Sequence, residues 1–150
     1  MAIPAPPYRV AGTEVRRIAS FLGLGAEVSD RMELADIVAH GLPAASAEAV
    51  HEAMGSSAFA SVVPAPTYRR ARRSGQPLSR ETSEKLYEFA RVMELVLRIH
   101  RGDEAAAHRF LQRPHAMLGG RTPLEVATSS SAGADAVMEL LQRADAGFVA

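Results

Sequence analysis

The sequence predicts an all-α protein. Its 150 residues are rich in Ala, Leu, Glu and Arg, which favour helices, and runs of β-branched residues are scarce. Apolar residues recur at helical spacings, and glycines and prolines separate these periodic segments. The chain is long enough to bury a stable core without disulfides, and it contains no cysteine.

The first 41 residues, 1–41, are expected to form a helical N-terminal extension. Residues 13–22 and 30–39 each carry apolar side chains at helical intervals. Gly23 and Gly41 follow these segments and should end the helices. Two roles are open for this extension, since it could enlarge a dimer or pack onto the segment that follows.

Three short helices with tight joints are expected next. Ser46 should cap a helix that runs to Met54, and residues 57–63 should form a second helix. Pro66 suits a position at or just before the start of a third helix, which should end at Gly75. This arrangement resembles a helix-turn-helix.

The longest helix is expected at 80–100, with Ser79 as its N-cap. Its apolar side chains form one stripe that should be exposed and should support a homodimer. Residues 42–100 would then comprise the helix-turn-helix domain and a connecting helix. The stripe consists of Leu86, Phe89, Ala90, Met93, Val96, Leu97 and His100.

A small helical domain is expected over residues 101–150. A helix at 104–112 should be followed by a second one, announced by the capping-box sequence Thr122-Pro123-Leu124-Glu125. A serine-rich joint from Thr128 to Ser131 should precede a final helix, for which Gly147 suits the position just past the C-terminus.

The charge distribution points to phosphate contacts in the central region. Net charge is zero, but residues 53–80 contain no acidic side chain and hold several arginines. A local basic stripe of this kind suits DNA, although a solvated helix face without a ligand is the alternative. The candidate DNA-binding residues are Thr67, Tyr68, Arg69, Arg70, Arg72 and Arg73.

The sequence offers little for catalysis or for a membrane. The five histidines show no metal-ligand spacing, and there is no nucleophile elbow and no glycine-rich phosphate loop. We therefore expect no enzymatic activity, no metal and no cofactor. The chain has no apolar run of membrane-spanning length and its N-terminus has no signal-peptide core, so a cytoplasmic protein is expected.

The last third resembles a known family. The run RFLQRPHAMLGGRTPLEVA at 109–127, and the residues after it, resemble the C-terminal toxin-binding region of Xre/MbcA/ParS-type antitoxins. Upstream, the segment around Arg69-Arg70 and Leu78-Ser79 resembles the helix-turn-helix of that family, so the resemblance covers about 42–150. Phe110 and His115 depart from residues common in the family, and the serine-rich joint looks longer. The residues that carry the C-terminal resemblance are Phe110, Leu111, Pro114, Leu118, Gly119, Gly120, Thr122, Pro123, Leu124, Glu125, Gly133, Val137, Leu140, Leu141 and Gly147.

The resemblance implies an antitoxin. Such a protein would neutralise a RES-domain toxin, which degrades NAD or transfers ADP-ribose, by occluding its active site with the C-terminal domain. It would also bind operator DNA as a homodimer and regulate its own operon. The residues implied in toxin binding are Arg113, His115, Leu118, Gly119, Gly120, Arg121, Thr122, Pro123, Phe148 and Val149.

Alternatives to this interpretation are open. The same architecture would serve a stand-alone transcriptional regulator without a toxin partner, or a scaffold protein that binds no specific DNA. The apolar end at Phe148-Val149 could likewise pack under the last helix or contact a partner.

Overall fold

The computed structural model describes the backbone of residues 14–149 and the side chains of residues 14–147. Every regular element in this range is helical, so the predicted all-α class is confirmed. A single 3₁₀ turn at Ala116–Leu118 lies between the seventh and eighth helices. The helices are α1 Glu14–Phe21, α2 Arg31–His40, α3 Ala44–Met54, α4 Ser56–Val62, α5 Ala65–Ser74, α6 Arg80–Ile99, α7 Glu104–Gln112, α8 Pro123–Ser129 and α9 Ser131–Val149.

Helix α6 is the centre of the structure. Ten of its 20 residues are buried, and α1, α2, α8 and α9 all pack against it. The prediction that its apolar stripe is exposed for dimerisation is therefore wrong. The periodicity correctly located the apolar face, but helices from both ends of the chain cover that face within one protomer. The buried side chains include Leu86, Phe89, Val92, Met93, Val96 and Leu97.

Helix α3 begins earlier than expected. It starts at Ala44 after Pro43, whose φ of −56° suits the residue before a helix, so Ser46 is not the N-cap. Ser46 instead donates its backbone N–H to the Pro43 carbonyl at 2.9 Å and lies inside the first turn. Its hydroxyl is buried and has no hydrogen-bond partner among the described residues. The proline, rather than the serine, determines where this helix begins.

Two expectations at α9 are also wrong. The serine-rich joint is a single residue, Ser130, because α8 extends to Ser129 and α9 begins at Ser131. The Ser130 hydroxyl accepts a hydrogen bond from the Gly133 N–H at 2.9 Å, as an N-cap does. Gly147 lies within α9 rather than beyond it, since the exposed last turns allow the helix to continue through a glycine at modest cost.

A close backbone contact joins the α2–α3 connection to the α5–α6 connection. The Leu78 N–H donates to the Leu42 carbonyl at 2.8 Å, and the Leu42 N–H donates to the buried Ser83 hydroxyl at 2.8 Å. Gly41 has a φ of +109°, and a Cβ at this position would lie 2.3 Å from the Leu78 carbonyl oxygen. Glycine is therefore required here, and the contact fixes the α3–α5 unit against the start of α6.

Candidate macromolecular interfaces

Helix α5 presents an unneutralised basic face. Arg69, Arg70, Arg72 and Arg73 are all exposed, while Ala71 is buried against the protein. Among the described residues, none of the four arginines has an ion pair or a side-chain hydrogen bond to a carboxylate. The arginines of α6, in contrast, are paired with glutamates. The free guanidinium groups of α5 suit an anionic partner such as a phosphate backbone.

The other two predicted DNA contacts take part in packing. The Tyr68 ring stacks on His51, with centroids 5.2 Å apart, and meets Phe59 edge-on at 5.0 Å. Its other neighbour is Arg72, whose guanidinium carbon lies 5.6 Å from the ring centroid. Thr67 is half-buried at the edge of a groove of about 430 Å³ between α5 and the start of α6. Tyr68 therefore anchors α5 to α3 and α4, and the arginines are the solvent-facing part of the predicted set.

The turn that carries the family resemblance is closed by its own backbone. The His115 N–H donates to the Arg121 carbonyl at 3.0 Å, and the His115 carbonyl accepts from Leu118 and Gly120. Gly119 and Gly120 have φ values of +67° and +80°, and a Cβ at either would meet nothing within 4 Å. The turn is thus rigid, and the two glycines lie on its open side.

The predicted capping box of α8 is confirmed. The Thr122 hydroxyl accepts from the Glu125 N–H at 3.1 Å, and the Thr122 N–H donates to Glu125 Oε2 at 3.3 Å. Pro123 and Leu118 are buried, and Arg121 Nε donates to the Leu118 carbonyl. Four of the predicted toxin-binding residues therefore support the turn, namely Leu118, Arg121, Thr122 and Pro123. Of these, Leu118 and Pro123 do not face solvent.

The structure shows an exposed apolar residue that the sequence analysis did not single out. Met117 is 68% exposed, beside the buried Leu118. A three-residue 3₁₀ turn can bury one of two adjacent apolar side chains, so one of the pair had to face outwards. The predicted residues Phe148 and Val149 cannot be compared with it, because their side chains lie outside the described residues.

A second positive surface lies next to this turn. A pocket of about 310 Å³ is lined by His100, Ala106, Arg109, Phe110, Arg113 and His115. The stretch 105–124 contains no acidic residue, which is the same signal that identified the α5 region. The sequence analysis named Arg113 and His115 but missed Arg109, Phe110 and His100, which the fold brings to the same pocket.

Helices α8 and α9 approach so closely that a side chain is excluded between them. A Cβ on Gly133 would lie 2.0 Å from the Val126 carbonyl oxygen, a backbone atom that cannot move away cheaply. The contact explains why a glycine stands among the residues that carry the family resemblance. It fixes the last helix against the capped helix α8.

A charged network ties α9 to α6. Arg91 donates to Glu88 Oε2 at 2.6 Å and to Asp135 Oδ1 at 2.8 Å, and the Ser131 hydroxyl donates to Glu88 Oε1 at 3.0 Å. Burial acts to lower the pKa of Arg91, but the hydrogen bonds to Glu88 and Asp135 leave it raised above its ordinary value. The guanidinium therefore stays charged, and the serine at 131 has a structural partner.

Among the side chains of residues 14–147, no group of three or more metal-ligating side chains is brought together. Nor does any helix in that range combine the length and apolar character that a bilayer crossing requires. The architecture is that of an all-helical protein with two positively charged surfaces.

The comparison with protein families concerns the second of these surfaces. Residues 94–147 match the family described as the antitoxin Xre/MbcA/ParS C-terminal toxin-binding domain. The match spans about a third of the chain and includes the whole of the closed turn, α8 and most of α9. It supports an antitoxin family and a toxin as partner. No curated protein matches the sequence.

Proposed function

We propose that this protein is an antitoxin that binds a RES-domain toxin and occludes its active site with the C-terminal region. The observation that carries the proposal is the match of residues 94–147 to a toxin-binding domain. The resemblance noted in the sequence supports a RES-domain toxin as the partner. The proposed role requires no chemistry from this chain.

The rigidity of the closed turn supports this role. Its backbone hydrogen bonds and the capping box hold residues 115–125 in one conformation before any partner arrives. A preformed segment loses little conformational entropy on binding, so more of the contact energy appears as affinity. The exposed Met117 and the flanking Arg113 and His115 would make the contacts.

We further propose that α5 binds operator DNA and that the protein thereby regulates its own expression. The four exposed, unpaired arginines support this second role. A homodimer would match two half-sites on DNA. Because the α6 stripe is buried, such a dimer would have to use another surface.

The proposed division into 1–41, 42–100 and 101–150 then describes roles rather than separate cores. The described part of the first segment and helices of the third both pack on α6. DNA binding would belong to the middle segment and toxin binding to the last one. The first segment would complete the core under α6.

Co-expression with a RES-domain toxin tests the main proposal. The full-length protein should restore growth and cellular NAD in cells that express this toxin, and the two should co-purify. A charge-altered variant, Arg113→Glu, should protect less well at equal abundance. Full toxicity in the presence of abundant, folded antitoxin would contradict the proposal.

A stand-alone transcriptional regulator is the second candidate, and the unpaired arginines of α5 favour it. The two functions differ in one measurement. A regulator without a toxin partner would bind DNA from its own promoter yet leave the growth of toxin-expressing cells unchanged. The family match of residues 94–147 favours the antitoxin.

A further inference from the structure

We propose that the pocket between the end of α6, α7 and His115 binds an acidic side chain, Asp or Glu, of the toxin. This rests on the proposed toxin binding and names the chemistry of one contact within it. Arg109 and Arg113 would bind the carboxylate, and Phe110 would form the apolar wall of the pocket.

The pocket is concave and its shape is fixed by packing. The Phe110 ring lies near both histidine rings, with centroid distances of 6.1 Å to His100 and 6.3 Å to His115. His100 Nδ1 lies 2.7 Å from the Val96 carbonyl oxygen. Because a carbonyl oxygen only accepts, the imidazole donates this hydrogen bond. The His115 backbone is held by the closed turn. A volume of about 310 Å³ leaves ample room for an acidic side chain.

The cations of this pocket have no partner of their own. Among the described residues, the side chains of Arg109 and Arg113 form no ion pair. The acids that bound the stretch 105–124 in sequence are Glu104 and Glu125, and Glu125 is engaged in the capping box. The two guanidinium groups are therefore available to bind a ligand. A guanidinium binds a carboxylate through two parallel hydrogen bonds, which makes an acidic side chain a good match.

The surroundings favour a protein carboxylate over a nucleic-acid phosphate. Ala106 and Phe110 make part of the lining apolar, and Met117 presents a further apolar side chain two residues from His115. A nucleic-acid backbone would leave this apolar surface without a partner, whereas a protein can cover it with its own apolar residues.

Charge reversal in the full-length protein tests the pocket. Arg109→Glu and Arg113→Glu should each weaken binding of the purified RES-domain toxin by about 10- to 100-fold in calorimetry, since each would place like charge beside the carboxylate. Arg16→Glu is the matched control, because Arg16 is an exposed arginine on α1 outside the pocket, and it should bind within about twofold of the parent. Circular dichroism checks that all three variants are folded.

A charge-swap series identifies the partner group. Replacing acidic residues of the toxin surface by Arg, one at a time, should yield one variant that binds Arg113→Glu better than it binds the parent. If the parent binds the toxin and both pocket variants bind equally well, the pocket inference is overturned while the proposed function stands. If the parent fails to bind, the proposed function itself is overturned.

A probe independent of the toxin completes the test. Hexaglutamate added to the ¹⁵N-labelled full-length protein should shift the backbone amide signals of residues 109–113 and of His115, and Arg109→Glu should abolish the shift. Absence of any shift would contradict a carboxylate site. A larger shift of the same signals with duplex DNA than with hexaglutamate would show a phosphate site and overturn the proposal.

Discussion

At the scale of single residues, Glu94 shows how a buried charge joins distant parts of the chain. Glu94 is only 2% exposed. Its carboxylate accepts a hydrogen bond from Arg17 Nε at 2.8 Å and another from Arg98 Nε at 3.1 Å. Arg98 lies one turn away on α6, whereas Arg17 comes from α1, 77 residues earlier. The two guanidinium groups offset the cost of burying this carboxylate in the core.

We expect Glu94→Gln to destabilise the protein by about 1–3 kcal/mol, because it removes the charge that both arginines face. Urea unfolding at neutral pH measures the loss. Glu139→Gln is the control, since Glu139 forms an exposed ion pair with Arg143 four residues along α9, and its loss should cost about 0.5 kcal/mol or less. Equal losses of stability in the two variants would show that the buried ion pairs of Glu94 stabilise the protein no more than an exposed ion pair does.

Gly133 gives a second prediction at this scale. Gly133→Ala should destabilise the protein by about 2 kcal/mol or more, because the new Cβ would press on the Val126 carbonyl oxygen and force α8 and α9 apart. Gly147→Ala, in the same helix, places its Cβ in open space and should be neutral or stabilising by up to about 1 kcal/mol. Thermal melting of both variants gives the comparison. A tolerated alanine at 133 would contradict the close packing of the two helices.

Local signals explain which residue-level features the sequence could predict. The Thr122–Glu125 capping box depends on residues three positions apart, and both of its hydrogen bonds are present. The pairing of Arg17 with Glu94 depends on the tertiary fold and carries no short-range signal. The outward orientation of Met117, and the meeting of His100 with Arg109, likewise required the structure.

At the scale of helices, the sequence predicted where each helix lies along the chain better than it predicted what packs against that helix. Spacing of apolar residues identified α6 from 80 to 100, within one residue of its end. The same pattern could not reveal that α1, α2, α8 and α9 cover the apolar face, since periodicity shows where a face is but not what packs on it. The predicted start of α3 was wrong because Pro43, rather than Ser46, precedes the first helical residue. The predicted end of α9 was wrong because the helix continues through Gly147.

Helix α5 allows a prediction about salt dependence. If its arginines contact phosphates, Arg69→Ala combined with Arg70→Ala should weaken binding to promoter DNA and reduce the slope of log affinity against log salt by about two. Fluorescence anisotropy over a range of salt concentrations measures the slope. Arg16→Ala should leave it unchanged. An unchanged slope in the double variant would exclude these two arginines as phosphate contacts.

At the scale of the whole molecule, the proposed toxin-binding and DNA-binding regions share one core. Helices α8 and α9 cover α6 on one side, and α1 and α2 pack against it as well. Removing the C-terminal region would therefore expose apolar surface of α6 to water. Loss of toxin binding in such a truncation would not by itself identify the contact residues, which is why single charge reversals are the sharper test.

This shared core leads to a prediction for the truncated chain. A protein ending at Gln112 should lose cooperative thermal unfolding and DNA binding together, although α5 itself is intact, because the α6 residues Phe89 and Met93 lose part of their cover. Differential scanning calorimetry and anisotropy report the two losses. The full-length Arg113→Glu protein is the control, since it should melt like the parent and keep its affinity for DNA. A truncated protein that melts cooperatively and binds DNA normally would show instead that residues 14–112 contain an independent core, and that the two proposed roles are separable folding units.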